Sequence, residues 1–341
     1  MKKLTLIFTA IIILILSACA PSQNKEGESF FAMDTYMQAE VYGDRQTVND
    51  IKAEIESLDK KLSSVNPESE IYKLNKSGSL ELDGESAELI KRSVELCGFT
   101  DGNLDITVYP VVEKWGFIDK NYKIPTQSEL DSLLKNVDYK KITVNGDTVV
   151  VPNGMKLDLG AVAKGYAADK SREILSKSGV KSAILNLGGT VLAYGKKPDG
   201  ENWKVGITDP ENNENYMGVL ECADKTVVTS GNYERYFESG GKRYCHIINP
   251  KTGCPADNGV TSVTVISPDG TKNDALSTAL FVMGAQNASE FIKNKCGDMD
   301  FIILTADKKA YITKGIEESF SLKNSEYEKL IIDSLRCCPN L

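Results

Sequence analysis

Three segments of this 341-residue chain carry side chains that could do chemistry. KLDLGAVAKGYAAD, residues 156–169, sets a carboxylate at Asp158 and an amine at Lys164 on either side of Gly160. A short strand ending at Asp158 and Leu159, a turn at Gly160 and a helix from about Ala161 would put Lys164 in the first helical turn. Backbone N–H groups at a helix start attract phosphate or carboxylate, and a lysine there opposes the macrodipole. The segment reads equally as an anion site or as a surface strand-turn-helix with a solvated lysine.

NDALSTALFVMG, residues 273–284, follows a turn-forming SPDGTK and starts a helix. Asp274, Ser277 and Thr278 are spaced i, i+3, i+4, which places three oxygens on one face of its first turn. Hard cations such as Mg2+ take oxygen ligands; the plainer alternative is a helix cap at Asn273 or Asp274 with solvated hydroxyls. YCHIINPKTG, residues 244–253, holds the only histidine of the chain. An imidazole titrates near neutral pH, yet a lone one beside isoleucines is more often structural than catalytic, and composition does not settle it. TSGNYERYF (229–237) lies just upstream, joined through ESGGKR in one expected hairpin. NLGG (186–189) ends an apolar strand, and its glycines allow a ligand or another backbone to approach, or simply make a tight turn.

The elements that must position these groups follow from pattern. Residues 33–42 alternate like a half-buried strand. IKAEIESLDKKLSSV spaces Ile51, Ile55, Leu58 and Leu62 as a helix, SAELIKRSVELCGFT is a second ending by Gly102, and QSELDSLLKN a third capped by Thr126 or Ser128. Asn145-Gly146 marks a hairpin. Helices are expected over about 160–178 and 274–284, in ASEFIKNKC, and in the C-terminal SEYEKLIIDSL. Hairpins with unevenly placed helices argue an α+β fold with mixed or antiparallel sheets.

The N-terminus points to a compartment. Lys2 and Lys3 precede an apolar run over residues 4–16, short of the roughly twenty residues a span needs. Leu16-Ser17-Ala18-Cys19 resembles a bacterial lipoprotein signal, with residues 1–18 removed and Cys19 lipidated. Residues 19–29 then form a flexible tether and 30–341 the folded domain, held at the cell membrane on its extracytoplasmic side. Loss of Lys2 and Lys3 makes the formal charge of −8 more negative by two. An acidic chain without a basic block is no nucleic-acid binder. The cysteines other than Cys19 form no C-x-x-C pair for zinc or redox chemistry.

In order and spacing these segments resemble the ApbE family, the FAD:protein FMN transferases. Its M-G-T appears as Met33-Asp34-Thr35, its D-x-T-V in GNLDITVYPVVEKWGF, and its K-x-D-x-G-x-x-x-K-G-Y as KLDLGAVAKGY. NLGG, WKVGITDP, TSGNYERYF, HIINPKTG and NDALSTAL follow in the family's order. The resemblance implies an α+β fold likened to tunnelling-fold domains. It further implies Mg2+-dependent transfer of FMN from FAD to a serine or threonine of an acceptor protein, with release of AMP. Family acceptors include extracytoplasmic subunits of membrane redox complexes. Hydrolysis of FAD to FMN and AMP is the neighbouring activity, and a lipid-anchored flavin binder without catalysis is the reading from another class.

Residue by residue, the resemblance places Asp158, Lys164, Met33 and the loop Asn103, Leu104 and Asp105 at the flavin nucleotide, with His246 and Ile247. Catalytic roles fall to His246, Asp158 and Lys164. The metal ligands would be the Ala161 carbonyl and the side chains of Asp274, Ser277 and Thr278. Two departures stand out: Asp34 replaces the glycine of M-G-T, and Ser277 stands where some relatives carry a second aspartate.

Overall fold

The computed structural model describes residues 24–333. The signal segment, Cys19, Cys337 and Cys338 lie outside the described residues. Nine strands form the main sheet, and their order in space is their order in the chain. They are β1 (Lys25–Ala32), β2 (Thr35–Tyr42), β3 (Ser182–Asn186), β4 (Thr190–Gly195) and β5 (Lys225–Gly231). β6 (Val260–Ser267), β7 (Asp300–Thr305), β8 (Lys309–Thr313) and β9 (Glu328–Ile332) complete it. All neighbours are antiparallel except β8 and β9, which run parallel.

An antiparallel meander returns alternate connections to the same end of the sheet. Gln38 pairs with Asn186, Val228 with Thr190, and Gly231 with Ser262. One end therefore gathers the Met33-Asp34 turn, the 187–189 turn and the segment 232–235 leaving β5. These stretches are far apart in sequence, and the register alone makes them neighbours.

The connection between β2 and β3 contains α1 (Arg45–Leu62), α2 (Glu70–Ser77), α3 (Gly84–Phe99), α4 (Tyr109–Lys114), α5 (Gln127–Leu134) and α6 (Ala163–Lys177). α7 (Gly270–Met283) and α8 (Ala285–Lys295) connect β6 to β7. α1 starts where Asp44 accepts from the Thr47 N–H, and its Ile51, Ile55 and Leu58 are buried against the sheet side. α7 is buried nearly all round because it lies between α6 and strands β5 and β6. A three-stranded sheet (Trp203–Asp209, Asn212–Cys222 and Phe320–Leu322) covers the opposite face. Strand alternation serves both layers: Ile303 points to the helices, while Ile302 and Leu304 pack with Trp203 and Phe320.

Four expectations are corrected. SEYEKLIIDSL is not helical where described: Glu328–Ile332 is a strand, because EKLII completes the sheet beside Lys309–Thr313. Residues 25–29, expected within the tether, belong to β1. Their polarity hides an edge strand, partnered on one side by β2 and therefore half exposed. α7 starts at Gly270 rather than 274, because Asp269 caps it by accepting from the Lys272 N–H. Asp274, Ser277 and Thr278 thus sit beyond its first turn. The 143–150 hairpin turns at Gly146-Asp147, one residue later than Asn145-Gly146.

Candidate active site

α6 and α7 cross at two glycines. A Cβ on Gly165 would stand 2.1 Å from the Gly270 carbonyl oxygen, and one on Gly270 would stand 2.4 Å from that of Gly165. Only glycine permits so close a crossing. Asp169 fastens the pair: it accepts from the N–H of Gly270 at 2.7 Å, from the N–H of Thr271 at 2.9 Å and from its hydroxyl at 2.6 Å. The crossing delivers Asp274 to the start of α6, where the Gly165 N–H donates to its Oδ2 at 2.8 Å. A continuing helix would aim that N–H at the Ala161 carbonyl. Among the described residues the Ala161 carbonyl therefore accepts from no backbone N–H.

The Asp274 carboxylate is 4 % exposed. Burial raises its pKa, opposed by the Lys164 charge and by the N–H groups of Gly165 and Lys164. Ser277 donates to the Asp274 carbonyl at 2.9 Å and meets Ser230 Oγ at 2.7 Å; Ser230 Oγ also stands 3.4 Å from the Thr278 hydroxyl. Among the described residues no group of three or more His, Cys, Asp or Glu side chains gathers for a metal. The cluster is instead one carboxylate, neighbouring hydroxyls and an uncommitted carbonyl. That set suits a hard divalent cation, and the partly compensated buried charge of Asp274 is what such an ion would neutralise.

Lys164 is the second residue of α6 and makes no ion pair within 4.0 Å among the described residues. Its charge acts on Asp158, Glu234, His246 and Asp274 together. Asp158 accepts from the Gly160 N–H at 3.0 Å, and burial raises its carboxyl despite Arg235 and Lys164. The expected strand ending at Asp158 and Leu159 is absent apart from one bridge of Lys156 to Val108. The segment is held instead by Asn75, whose amide donates to the Leu157 carbonyl at 2.9 Å and accepts from the Leu157 N–H at 2.6 Å. The Asp158 N–H donates to the Ile106 carbonyl at 2.8 Å.

His246 closes the hairpin formed by Tyr236–Ser239 and Lys242–Cys245. Its N–H donates to the Arg235 carbonyl at 3.0 Å, and Nδ1 lies 3.2 Å from the same oxygen. A carbonyl only accepts, so Nδ1 carries the proton and Nε2 keeps its lone pair. Burial, with the Arg235 and Lys164 charges, pushes the imidazole down to about 4. The Arg235 guanidinium pairs with Asp34 at 2.9 Å, which ties the β1–β2 turn to this segment. Met33 and Asp34 both have positive φ, 49° and 59°. Gly188 must stay glycine, because a Cβ would meet Thr35 at 2.4 Å. The neighbouring Glu234 has its Oε1 3.3 Å from a Cβ placed on Gly189. Desolvation and the Asp274 carboxylate push its carboxyl up to about 7, against Lys164 and Arg235.

The expected residues thus divide. Asp158, Lys164, His246 and Asp274 share one electrostatic neighbourhood, and Ala161, Ser277 and Thr278 flank Asp274. Asn103 is at the rim, its Oδ1 accepting from Lys251 at 3.1 Å. Leu104 and Ile247 are core side chains, 4 % exposed each. The Asp105 carboxylate is occupied within its own loop: it accepts from the Thr107 N–H and hydroxyl at 2.9 and 2.6 Å and from the Tyr139 N–H at 3.1 Å. Leu104 and Ile247 thus offer no exposed side chain, and the Asp105 carboxylate is engaged within its own loop. Glu234, Arg235, Ser230 and Asn75 were not singled out from sequence. The adjacent charges of Glu234 and Arg235 within an aromatic run were the available signal; Ser230 and Asn75 gave none.

The sequence model of the ApbE family matches residues 33–303. A relative from Vibrio cholerae named FAD:protein FMN transferase is 31 % identical over 288 residues, covering 80 % of this chain and 86 % of that one. One of the same name from Treponema pallidum is 32 % identical over 256 residues, covering 70 % of each. Among solved structures, the ApbE protein of Thermotoga maritima superposes with a TM-score of 0.78 at 33 % identity, over 83 % of this chain and 94 % of that one. The flavin transferase ApbE of Vibrio cholerae gives 0.76 at 25 % identity, over 86 % and 99 %. Fold and site define a transferase enzyme of α+β architecture. The chain belongs to the ApbE family.

Proposed function

We propose that the enzyme transfers FMN from FAD to a serine or threonine hydroxyl of an acceptor protein and releases AMP. The observation that carries this reading is the Gly165–Asp274 contact. It brings an anion-attracting helix start and a hard-oxygen cluster side by side, in a chain whose curated relatives are named for that activity. In the reaction the acceptor oxygen forms a bond to the phosphorus on the FMN side. The phosphoanhydride bond to AMP breaks, and AMP leaves.

Lys164 is placed to bind the pyrophosphate, whose charges otherwise repel an incoming oxygen. His246 Nε2, neutral and with its lone pair free, accepts the hydroxyl proton; Arg235 holds the ring through its carbonyl. Asp158 orders the turn ahead of Lys164. The paired glycines of NLGG leave room for close approach beside Glu234. Asp274, the hydroxyls of Ser277 and Thr278 and the Ala161 carbonyl would hold Mg2+. When bound, it supplies charge neutralisation for the pyrophosphate and the departing phosphate. Met33, Asn103 and the backbone around Leu104 and Ile247 border the flavin end.

Cys19 and the run before it support anchoring of the enzyme by lipid at the outer side of the cell membrane. Among the described residues no helix is long and apolar enough to cross a membrane. The acceptor would then be an extracytoplasmic or membrane redox subunit. The test is to incubate the chain with FAD, Mg2+ and such a subunit. Covalent FMN on the acceptor with AMP in solution is expected; AMP with an unmodified acceptor would make the enzyme an FAD hydrolase.

A further inference from the structure

The hydroxyls around Asp274 do not all come from α7. β5 alternates across the main sheet: Val227 packs in the layer with Trp203, whereas the Thr226 hydroxyl accepts from Arg172 of α6 at 3.2 Å and Ser230 meets Ser277 and Thr278 of α7. Ser230 is the last side chain on that face before the strand ends at Gly231. Asn273, fully buried one turn before Ser277, donates to the Thr226 carbonyl at 2.7 Å and to the Ser267 carbonyl at 3.1 Å. It also accepts from the Ser267 hydroxyl at 2.6 Å. α7 is thereby pinned to β5 and β6, and the 2.7 Å contact between Ser230 and Ser277 follows from that register.

Ser277 donates its one proton to the Asp274 carbonyl at 2.9 Å. The contact with Ser230 therefore carries the Ser230 proton, donated to Ser277. Among the described residues Ser230 Oγ has one further hydrogen-bond contact, the Thr278 hydroxyl at 3.4 Å. A lone pair of Ser230 is left without a donor. Ser277 is fully buried with its hydroxyl turned back on its own helix, while Ser230 is half-buried. A serine hydroxyl with a free lone pair is a hard-oxygen ligand, of the kind that holds Mg2+ in nucleotide-binding loops. We propose that Ser230 is a further ligand of the divalent cation at Asp274, its orientation set by the hydrogen bond to Ser277. Ligands then come from three elements: the Ala161 carbonyl ahead of α6, the side chains of α7 and the end of β5. The chain leaving β5 continues into Glu234 and Arg235, so Ser230 links the oxygen cluster to the segment that holds His246. This rests on the cation reading above.

The test measures Mn2+ binding to the complete chain by electron paramagnetic resonance of the free ion, with saturating AMP and no FAD, so that no turnover intervenes. Cd2+ is measured by competition against Mn2+. The proteins are wild type, Ser230→Ala, Ser230→Cys and Asp274→Asn. Ser230→Ala keeps the bond from Ser277 to the Asp274 carbonyl, so its urea midpoint should stay that of the wild type. The proposal expects its Mn2+ affinity to fall about tenfold or more, the scale of a removed metal-site contact. A thiol prefers a softer ion than a hydroxyl does, so Ser230→Cys should shift the preference towards Cd2+ at least about tenfold. The other cysteines are common to all four proteins and set the baseline. Wild-type Mn2+ affinity in Ser230→Ala overturns the proposal. So does a loss of affinity in Ser230→Ala with no Cd2+ shift in Ser230→Cys, which would make Ser230 a support for Ser277 alone. If the wild type binds no Mn2+, or Asp274→Asn binds it equally well, the cation reading fails and the Ser230 ligand falls with it.

Discussion

The backbone N–H of Gly165 donates to Oδ2 of Asp274 at 2.8 Å, and this bond joins the two halves of the site. It exists because α6 and α7 touch at Gly165 and Gly270. It also withdraws the donor that the Ala161 carbonyl would otherwise receive. One contact between residues 109 apart in the chain thus brings the start of α6 to the carboxylate and hydroxyls of α7.

Gly165→Ala would force the helices apart, since the new Cβ overlaps backbone and not a movable side chain. Overpacking of this kind costs about 1–3 kcal/mol. A lower urea midpoint is expected together with loss of most FAD turnover. A variant with unchanged midpoint and rate would show that the crossing does not set the site.

Asp274→Asn keeps the acceptor for Gly165 but removes the charge. Turnover is expected to fall at least about a hundredfold, the scale of a lost electrostatic contribution, and the Mg2+ concentration for half-activation to rise. Because burial already disfavours this carboxylate, stability should hold or increase. Unaltered Mg2+ dependence would remove Asp274 from the metal site.

The identity of the base is legible in the acid limb of the rate profile. His246 is lowered to about 4 by burial and by the Arg235 and Lys164 charges, so it stays neutral at any pH above that value. A rate carried by His246 is then lost as pH falls through about 4, not through the ordinary histidine range. Glu234, raised to about 7, would instead give a rate lost as pH falls through about 7. The expected profile is flat through pH 7 down to about 5, with His246→Gln lowering the rate about 10²–10⁴-fold and Glu234→Gln leaving the limb in place. A wild-type limb near 7 that disappears in Glu234→Gln would transfer the role to Glu234.

Asp105→Ala tests the separation of scaffold from chemistry. Three donors lose their acceptor in a buried loop, and each unsatisfied buried donor costs about 1–3 kcal/mol. The urea midpoint should drop clearly. A variant of wild-type stability whose FAD affinity alone collapses would place Asp105 on the ligand.

What the sequence showed and what it hid follow one division. Asp158, Gly160 and Lys164 were legible because a turn and a helix start lie within seven residues, although the expected strand end is only extended chain and the helix begins at Ala163 rather than about Ala161. Asp274, Ser277 and Thr278 were legible as one helical face, though the helix start was misplaced because Asp269, not Asn273 or Asp274, is the cap. Glu234 and Arg235 were not legible. Their place beside Asp34 and Gly189 is set by the register of strands from β2 to β5. Asn75 does its work on Leu157, 82 positions away. β9 failed for the same reason: a short apolar run became a strand only because β8 offers an edge.

The central claim is tested most directly by one mass measurement made with nucleotide analysis on the same sample. The enzyme is mixed with FAD, Mg2+ and an isolated acceptor subunit. The intact acceptor is then weighed while AMP is quantified. The account predicts one covalently attached FMN for each AMP released, with both products absent when Mg2+ is chelated. AMP accumulating while the acceptor mass stays unchanged, or FAD remaining intact over hours, would contradict it.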